Sequence, residues 1–268
     1  MRENQLCDYV TNRRGVPLFH QFASGDESRP LVIFCNPLLE EALFCRNHLT
    51  GWFLHLAKKN YNVLTFDYQG SGNSGGEHPV SANRMLEDLI DLASRYWRKH
   101  HAEQQLFLIG IRFGFNIALK ATELLHADKL IGVEPIVDLD RYRTALFRTN
   151  LITQLSTSGK IVTDRKQLMA ELEAGKRISL SGHEIDLEFI RSLGDFDLRN
   201  VTGMETGRVK IFLRAGGKIS FGKKRKNPLK KSGFACISIE MEPFWAETKY
   251  YSPAHSILYC QADRFLDP

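Results

Sequence analysis

The sequence predicts an α/β protein, a mostly parallel sheet with helices on both faces and a helical cap insertion late in the chain. Three observations predict it. Short continuous apolar runs, such as LVIFC at 31–35 and LFLI at 106–109, read as strands buried on both faces. They alternate with stretches of helical periodicity, the order that builds βαβ crossovers. Glycine-bearing turns at 70–76 and 110–114 follow two of the strands directly, where an open parallel sheet keeps its crevice.

Taken in order, residues 5–12 and 17–23 read as two strands around the turn 12–15. The run 31–35 is the first buried strand. Residues 45–59 place Leu49, Trp52, Phe53, Leu56 and Ala57 at helical spacing. A strand at 61–66 leads into the first glycine loop. A helix over 81–99 follows, with Met85, Leu86, Leu89, Leu92 and Ala93 as its apolar stripe. The strand 106–109, the second glycine turn, a helix over 113–125 and a strand over 129–137 complete the regular alternation. Residues 139–203 then read as helices without strands. The pattern resumes with strands at 209–213 and 234–239, and a last helix starts near Ser252 and Pro253, proline suiting a first turn. The predicted core is thus residues 1–138 and 204–268, with 139–203 inserted as a cap.

Composition narrows the function classes. The 268 residues are 43% hydrophobic and 25% charged, ordinary for a globular chain whose core needs no disulfide or metal staples. No run of 18 apolar residues predicts a membrane span, and MRENQLCDYVTNRRG lacks the apolar region of a secretory signal. The cysteines at 7, 35, 45, 236 and 260 are odd in number and form no C-x-x-C pair. They predict reduced thiols and a cytoplasmic location. No histidines stand at ligand spacing, so no metal and no cofactor is expected. His20, His48, His55, His100 and His101 are expected on strand or helix surfaces, and His255 falls on the last helix.

The formal charge of +5 is local: residues 218–231 hold seven basic residues and no acid, leaving 29 basic against 31 acidic residues elsewhere. With Gly222 and Pro228 in it, this stretch reads as a solvated loop. The alternative is contact with an acidic partner or an anionic surface. A nucleic-acid partner is not expected.

Two motifs bear on chemistry. Gly70, Gly72 and Gly75 spell G-x-G-x-x-G after a strand. However, residues 77–80 intervene before the helix, and no acidic residue ends a strand about twenty positions on, as a ribose partner would. These glycines read as tight-turn formers. The second motif, Gly110-Ile111-Arg112-Phe113-Gly114, sits between strand and helix like a nucleophile elbow, G-x-S-x-G. Arg112 occupies the nucleophile's place. A guanidinium stays protonated and offers no lone pair for attack.

The strand at 31–35, the D-x-x-G-x-G-x-S-x-G loop at 67–76 and the elbow at 110–114 together resemble the α/β-hydrolase superfamily over roughly residues 15–265. More narrowly, NPLLEE at 36–41, VEPIV at 133–137 and PFW at 243–245 resemble the hydrolase 2 type associated with the exosortase A system. The resemblance implies an α/β-hydrolase fold and ester or thioester chemistry. It also implies an acid after strand 209–213 and a histidine after the last strand. The first turn reads RAGGK and the second EMEPF, so neither is present. All three triad positions are altered, which points to loss of the usual mechanism.

Arg112 therefore needs an acidic partner, and Glu40, Glu41 and Glu242 are the candidates. It either forms a structural ion pair that fills the vacated pocket or grips a carboxylate or phosphate of a ligand. Cys35, which ends the first core strand, is the other nucleophile to weigh, but no base accompanies it. The N–H groups of Phe113 and Leu38 are the expected oxyanion donors, since Pro37 has none. The expected function is an α/β-hydrolase-fold protein that binds an anionic or acyl-bearing ligand, or a protein partner, without turnover. Two alternatives stay open: an active ester or thioester hydrolase with a non-standard nucleophile, and an interaction module that uses 218–231.

Overall fold

The computed structural model describes residues 5–97, 104–180, 182–200, 206–215, 229, 234–247 and 255–267. The basic stretch 218–231, apart from Leu229, lies outside the described residues, as do His100, His101 and the side chain of His255. The chain starts as an antiparallel hairpin, β1 (Gln5–Thr11) with β2 (Pro17–Ala23). Then come β3 (Leu31–Cys35), α1 (Leu39–Lys58), β4 (Asn62–Phe66), α2 (Ala82–Tyr96), β5 (Leu106–Ile111), α3 (Phe113–Leu125) and β6 (Lys129–Val133). The segment up to β9 (Val209–Arg214) holds α4 (Leu139–Ser158), α5 (Arg165–Glu173), the small hairpin β7 (Ile178–Leu180) and β8 (His183–Ile185), and α6 (Leu187–Ser192). β10 (Ala235–Ile239) and α7 (His255–Leu266) complete the described elements.

Eight strands make one sheet in the order β1-β2-β4-β3-β5-β6-β9-β10. Every neighbouring pair from β4 to β10 runs parallel; β1 and β2 are antiparallel to their neighbours. The pleat sends alternate residues of β3 to opposite faces. Leu31, Ile33 and Cys35 join the core under α2 and α3, while Val32 and Phe34 join the core under α1 and α7. This two-sided burial explains the unbroken apolar runs. The segment between β6 and β9 shares the first of these cores through Leu139, Phe147, Leu172, Phe189 and Phe196. Asn116 of α3 ties it down, donating through Nδ2 to the carbonyls of Ile136 and Phe196, each at 2.9 Å.

The fold class holds, with four local corrections. Helix α1 begins at Leu39, six residues before the apolar periodicity does, because Glu40 and Glu41 in its first turn complement the positive helix end. Strand β6 stops at Val133, where Glu134 turns to φ 45° ahead of Pro135. The segment expected to be free of strands carries the β7–β8 hairpin, whose three-residue strands are too short to show periodicity. Two histidines expected on surfaces are inside: His20 is fully buried against the Tyr96 hydroxyl, and His48 packs on Phe244.

Burial disfavours the charged form of His20 and holds its pKa below the ordinary 6.5, although the backbone at Leu18 pulls the other way. The unfolded chain takes up a proton near pH 6.5 that the folded chain refuses. This contribution to stability is therefore complete above about pH 6.5 and is lost as pH falls toward the folded value. Urea denaturation at stepped pH should show the loss, and His20→Phe should flatten the profile over that range.

Candidate functional site

The corner between β5 and α3 is built as an elbow. Arg112 sits at φ 55° and ψ −125°, a conformation that costs a non-glycine residue about 1–3 kcal/mol. Its N–H donates to the Val133 carbonyl at 2.9 Å, and its carbonyl accepts from Phe115 N–H at 3.1 Å. The flanking glycines are required by close approach. A Cβ on Gly110 would stand 2.3 Å from the Phe115 Cα, and one on Gly114 would stand 2.1 Å from the Cys35 carbonyl oxygen. The turn thus presses α3 against the end of β3, and residue 112 projects at the carboxyl edge of the sheet.

The Arg112 guanidinium is enclosed by protein. Nε donates to Glu41 Oε1 at 3.0 Å, and Nη2 lies 3.0 Å from the same oxygen. Nη1 donates to the Glu134 carbonyl at 3.1 Å, and the Trp245 ring covers one face with its centroid 5.3 Å from Cζ. The Tyr142 hydroxyl donates to Glu41 Oε2 at 3.2 Å, and its ring stacks on Phe113. Only 18% of the Arg112 side chain and 15% of the Glu41 side chain is exposed. Burial works to lower the Arg112 pKa, but the charge and hydrogen bond of Glu41 together with Tyr142 and Glu134 outweigh it, so the guanidinium stays protonated. Burial presses the Glu41 carboxyl upward, and the Arg112 charge works against that.

Of the three acids weighed as partners, Glu41 makes the contact; Glu40 is half-buried and Glu242 is exposed. Cys35 is fully buried, and burial drives its pKa far above the ordinary thiol value, as in an inert core cysteine. Phe113 is the first residue of α3 and Leu38 the N-cap of α1, so both stand where helix ends leave N–H groups without intrahelical partners. Three members of the cluster were not anticipated: Tyr142, Trp245 and the Glu134 carbonyl. Trp245 stands just after the stretch 240–244, where the resemblance implied a histidine. Glu134 also accepts through its carboxylate from the Arg214 N–H, bridging the ends of β6 and β9.

A cavity of about 280 Å³ lies on the other flank of the β3–α1 corner. Leu38, Leu39 and Ala42 form one wall, and residues of the loop after β4, including Asp67 and Tyr68, form another. His183 and Phe189, from the segment between β6 and β9, also line it; Arg112 and Glu41 do not. Burial lowers the His183 pKa, which keeps that ring neutral near pH 7. Among the described residues no helix is long and apolar enough to cross a membrane, and no group of three metal-ligating side chains assembles.

The ion pair makes an asymmetric prediction. Glu41→Ala leaves a buried guanidinium without its carboxylate and should cost about 3 kcal/mol, whereas the double substitution Glu41→Leu with Arg112→Met should stay within about 1 kcal/mol of the parent. Urea denaturation midpoints of the two variants measure the difference.

Against known proteins, a family model described as serine aminopeptidase, S33, matches residues 27–186. A search of curated proteins found no match. Among solved structures, a putative hydrolase from Agrobacterium vitis S4 superposes with a TM-score of 0.65 at 13% identity, covering 98% of this chain and 99% of that one. Alpha/beta hydrolase domain-containing protein 10 from mouse superposes with a TM-score of 0.62 at 16% identity, covering 98% of each chain. At such identities the superpositions speak for the fold.

Proposed function

The chain belongs to the serine aminopeptidase S33 family of α/β hydrolases, and from that premise we propose that it is a member that binds a ligand instead of cleaving one. The observation that carries this reading is Arg112 at the elbow, paired with Glu41 and covered by Trp245. Acyl transfer needs a nucleophile, a base and an orienting acid in hydrogen-bond series. Here the corner presents a cation that cannot attack, its neighbour is a carboxylate held by that cation, and an indole stands over the guanidinium.

The same cluster argues against an anion grip by Arg112. Nε, Nη1 and Nη2 each have a protein acceptor close by, so a carboxylate or phosphate would meet a guanidinium already paired with Glu41 and mostly covered, with only its two remaining N–H groups to offer. The ligand instead belongs in the neighbouring cavity, whose wall of Leu38, Leu39, Leu43 and Phe66 suits an acyl-like or other apolar body. The segment 139–203 is its lid in this reading, contributing His183 and Phe189. The stretches at 36–41, 133–137 and 243–245 favour the exosortase A system-associated hydrolase 2 type, and the cysteine pattern favours a cytoplasmic setting.

Purified protein should not hydrolyse p-nitrophenyl acetate, p-nitrophenyl butyrate or a panel of acyl-CoA thioesters above the uncatalysed rate. It should not be labelled by a fluorophosphonate either. Turnover abolished by Cys35→Ala, by Arg112→Ala or by another single substitution would establish a hydrolase and defeat the binding reading.

A further inference from the structure

Four of the ten large apolar side chains left exposed among the described residues fall within 152–162, at the end of α4 and in the turn toward α5: Ile152, Leu155, Ile161 and Val162. Each is between 53% and 62% exposed. Apolar side chains scattered singly over a surface are ordinary, but a group gathered at one place marks a contact. Ile152 and Leu155 stand three residues apart and share a face of α4 over its last two turns. The chain leaves α4 through Gly159, whose φ of 67° ends the helix. Gln154 then pins the turn that follows. Its Oε1 accepts from the N–H groups of Val162 and Thr163 at 2.8 and 2.9 Å, and its Nε2 donates to the Thr163 carbonyl at 3.0 Å. One side chain of α4 thus holds the backbone of the turn within its reach, and Ile161 and Val162 face solvent beside the helix end. Folding has organised these apolar groups without burying them.

The charge around this tip selects its partner. Residues 148–166 hold Arg148, Lys160, Arg165 and Lys166 against one acid, Asp164. All four cations are exposed. Arg148 lies one turn before Ile152 on the same face of α4, and Lys160 adjoins Ile161. Asp164 is engaged as the N-cap of α5, where it accepts from the Gln167 N–H at 2.8 Å. A second copy of the tip would set cations against cations. The tip has no aromatic ring on which a nucleic-acid base could stack, and phosphates alone would leave its aliphatic side chains in water. An anionic lipid surface meets both needs, with headgroup phosphates for the cations and the acyl boundary for the branched side chains. None of these residues lines the cavity beside the elbow.

We propose that this tip docks on an anionic membrane surface, with Ile152, Leu155, Ile161 and Val162 entering the lipid boundary and the four cations meeting headgroup phosphates. Sedimentation of the full chain with phosphatidylcholine vesicles, with and without an equal part of phosphatidylglycerol, tests it. Partitioning should be at least tenfold stronger onto the anionic vesicles and should weaken as salt rises. The double substitution Ile161→Asp with Val162→Asp should weaken it at least tenfold. Circular dichroism and Tm should stay those of the parent, because both side chains are exposed in the folded chain.

Val162→Trp reports insertion directly. On anionic vesicles its added emission should shift to the blue and be quenched by brominated acyl chains, beyond the response of the parent tryptophans. Replacing Lys223, Lys224, Arg225 and Lys226 by alanine separates the tip from the basic stretch and should leave that quenching in place. Equal partitioning onto both kinds of vesicle, or none onto either, would overturn the proposal. So would an unquenched Trp at position 162, or partitioning that survives the double substitution and disappears with the lysines and arginine of 223–226. Dimerisation in sedimentation velocity, abolished by the same double substitution, would assign the tip to a second copy and overturn the membrane reading.

Discussion

One carboxylate, that of Glu41, meets three positive features at once. It lies in the first turn of α1, where unpaired N–H groups favour an anion. It faces the start of α3, where Arg112 is the N-cap. It also pairs with the guanidinium itself. A cation at a helix N-terminus is disfavoured by about 0.3–1 kcal/mol, and one removed from water without a partner by far more. Without Glu41 the buried guanidinium would lose the carboxylate that balances its charge. With it, Tyr142, Trp245 and Glu134 close around the pair, and the elbow becomes a joint between β3, β5, β6 and the segment that follows.

The elbow keeps its strained backbone with an arginine at the corner. Arg112 keeps a positive φ although it presents no nucleophile. The reason is packing: Gly110 and Gly114 let α3 sit against β3 with no room for a Cβ, and relaxing the corner would separate two fully buried elements. The geometry is thus maintained by the sheet and the helix, whichever side chain the corner displays. The same strand-to-helix corner is thus compatible with the hydrolase fold that the chain matches over nearly its whole length.

Much of this was legible in the sequence because it rests on local patterns. The apolar runs gave the parallel strands, and helix α3 came out with the bounds 113–125 because a glycine turn and an unbroken apolar stripe delimit it. The arginine at the elbow was legible for the same reason: residue 112 follows a strand end directly. The contacts around Arg112 were only half legible. The need for an acid follows from charge alone, but the choice of Glu41 over Glu40 depends on which face of α1 turns inward, and Glu242 proved exposed. Tyr142 and Trp245 come from distant parts of the chain, and no spacing rule links them to the elbow. His20 escaped because β2 alternates in a hairpin whose inner face meets Tyr96 of α2, a long-range pairing. The cavity escaped because its lining comes from segments as far apart as residues 38 and 189.

Asn116 holds the two ends of the segment between β6 and β9 to one point on α3, through Ile136 where the chain leaves the sheet and Phe196 shortly before it returns. A loop pinned at both ends has already lost most of its closure entropy, and doubling its length adds only about 0.6 kcal/mol. The stretch between these anchors can accordingly lengthen, shorten or exchange its helices with little penalty to the sheet below. One amide in the scaffold thereby frees the segment between β6 and β9 to vary while the strands on either side stay put.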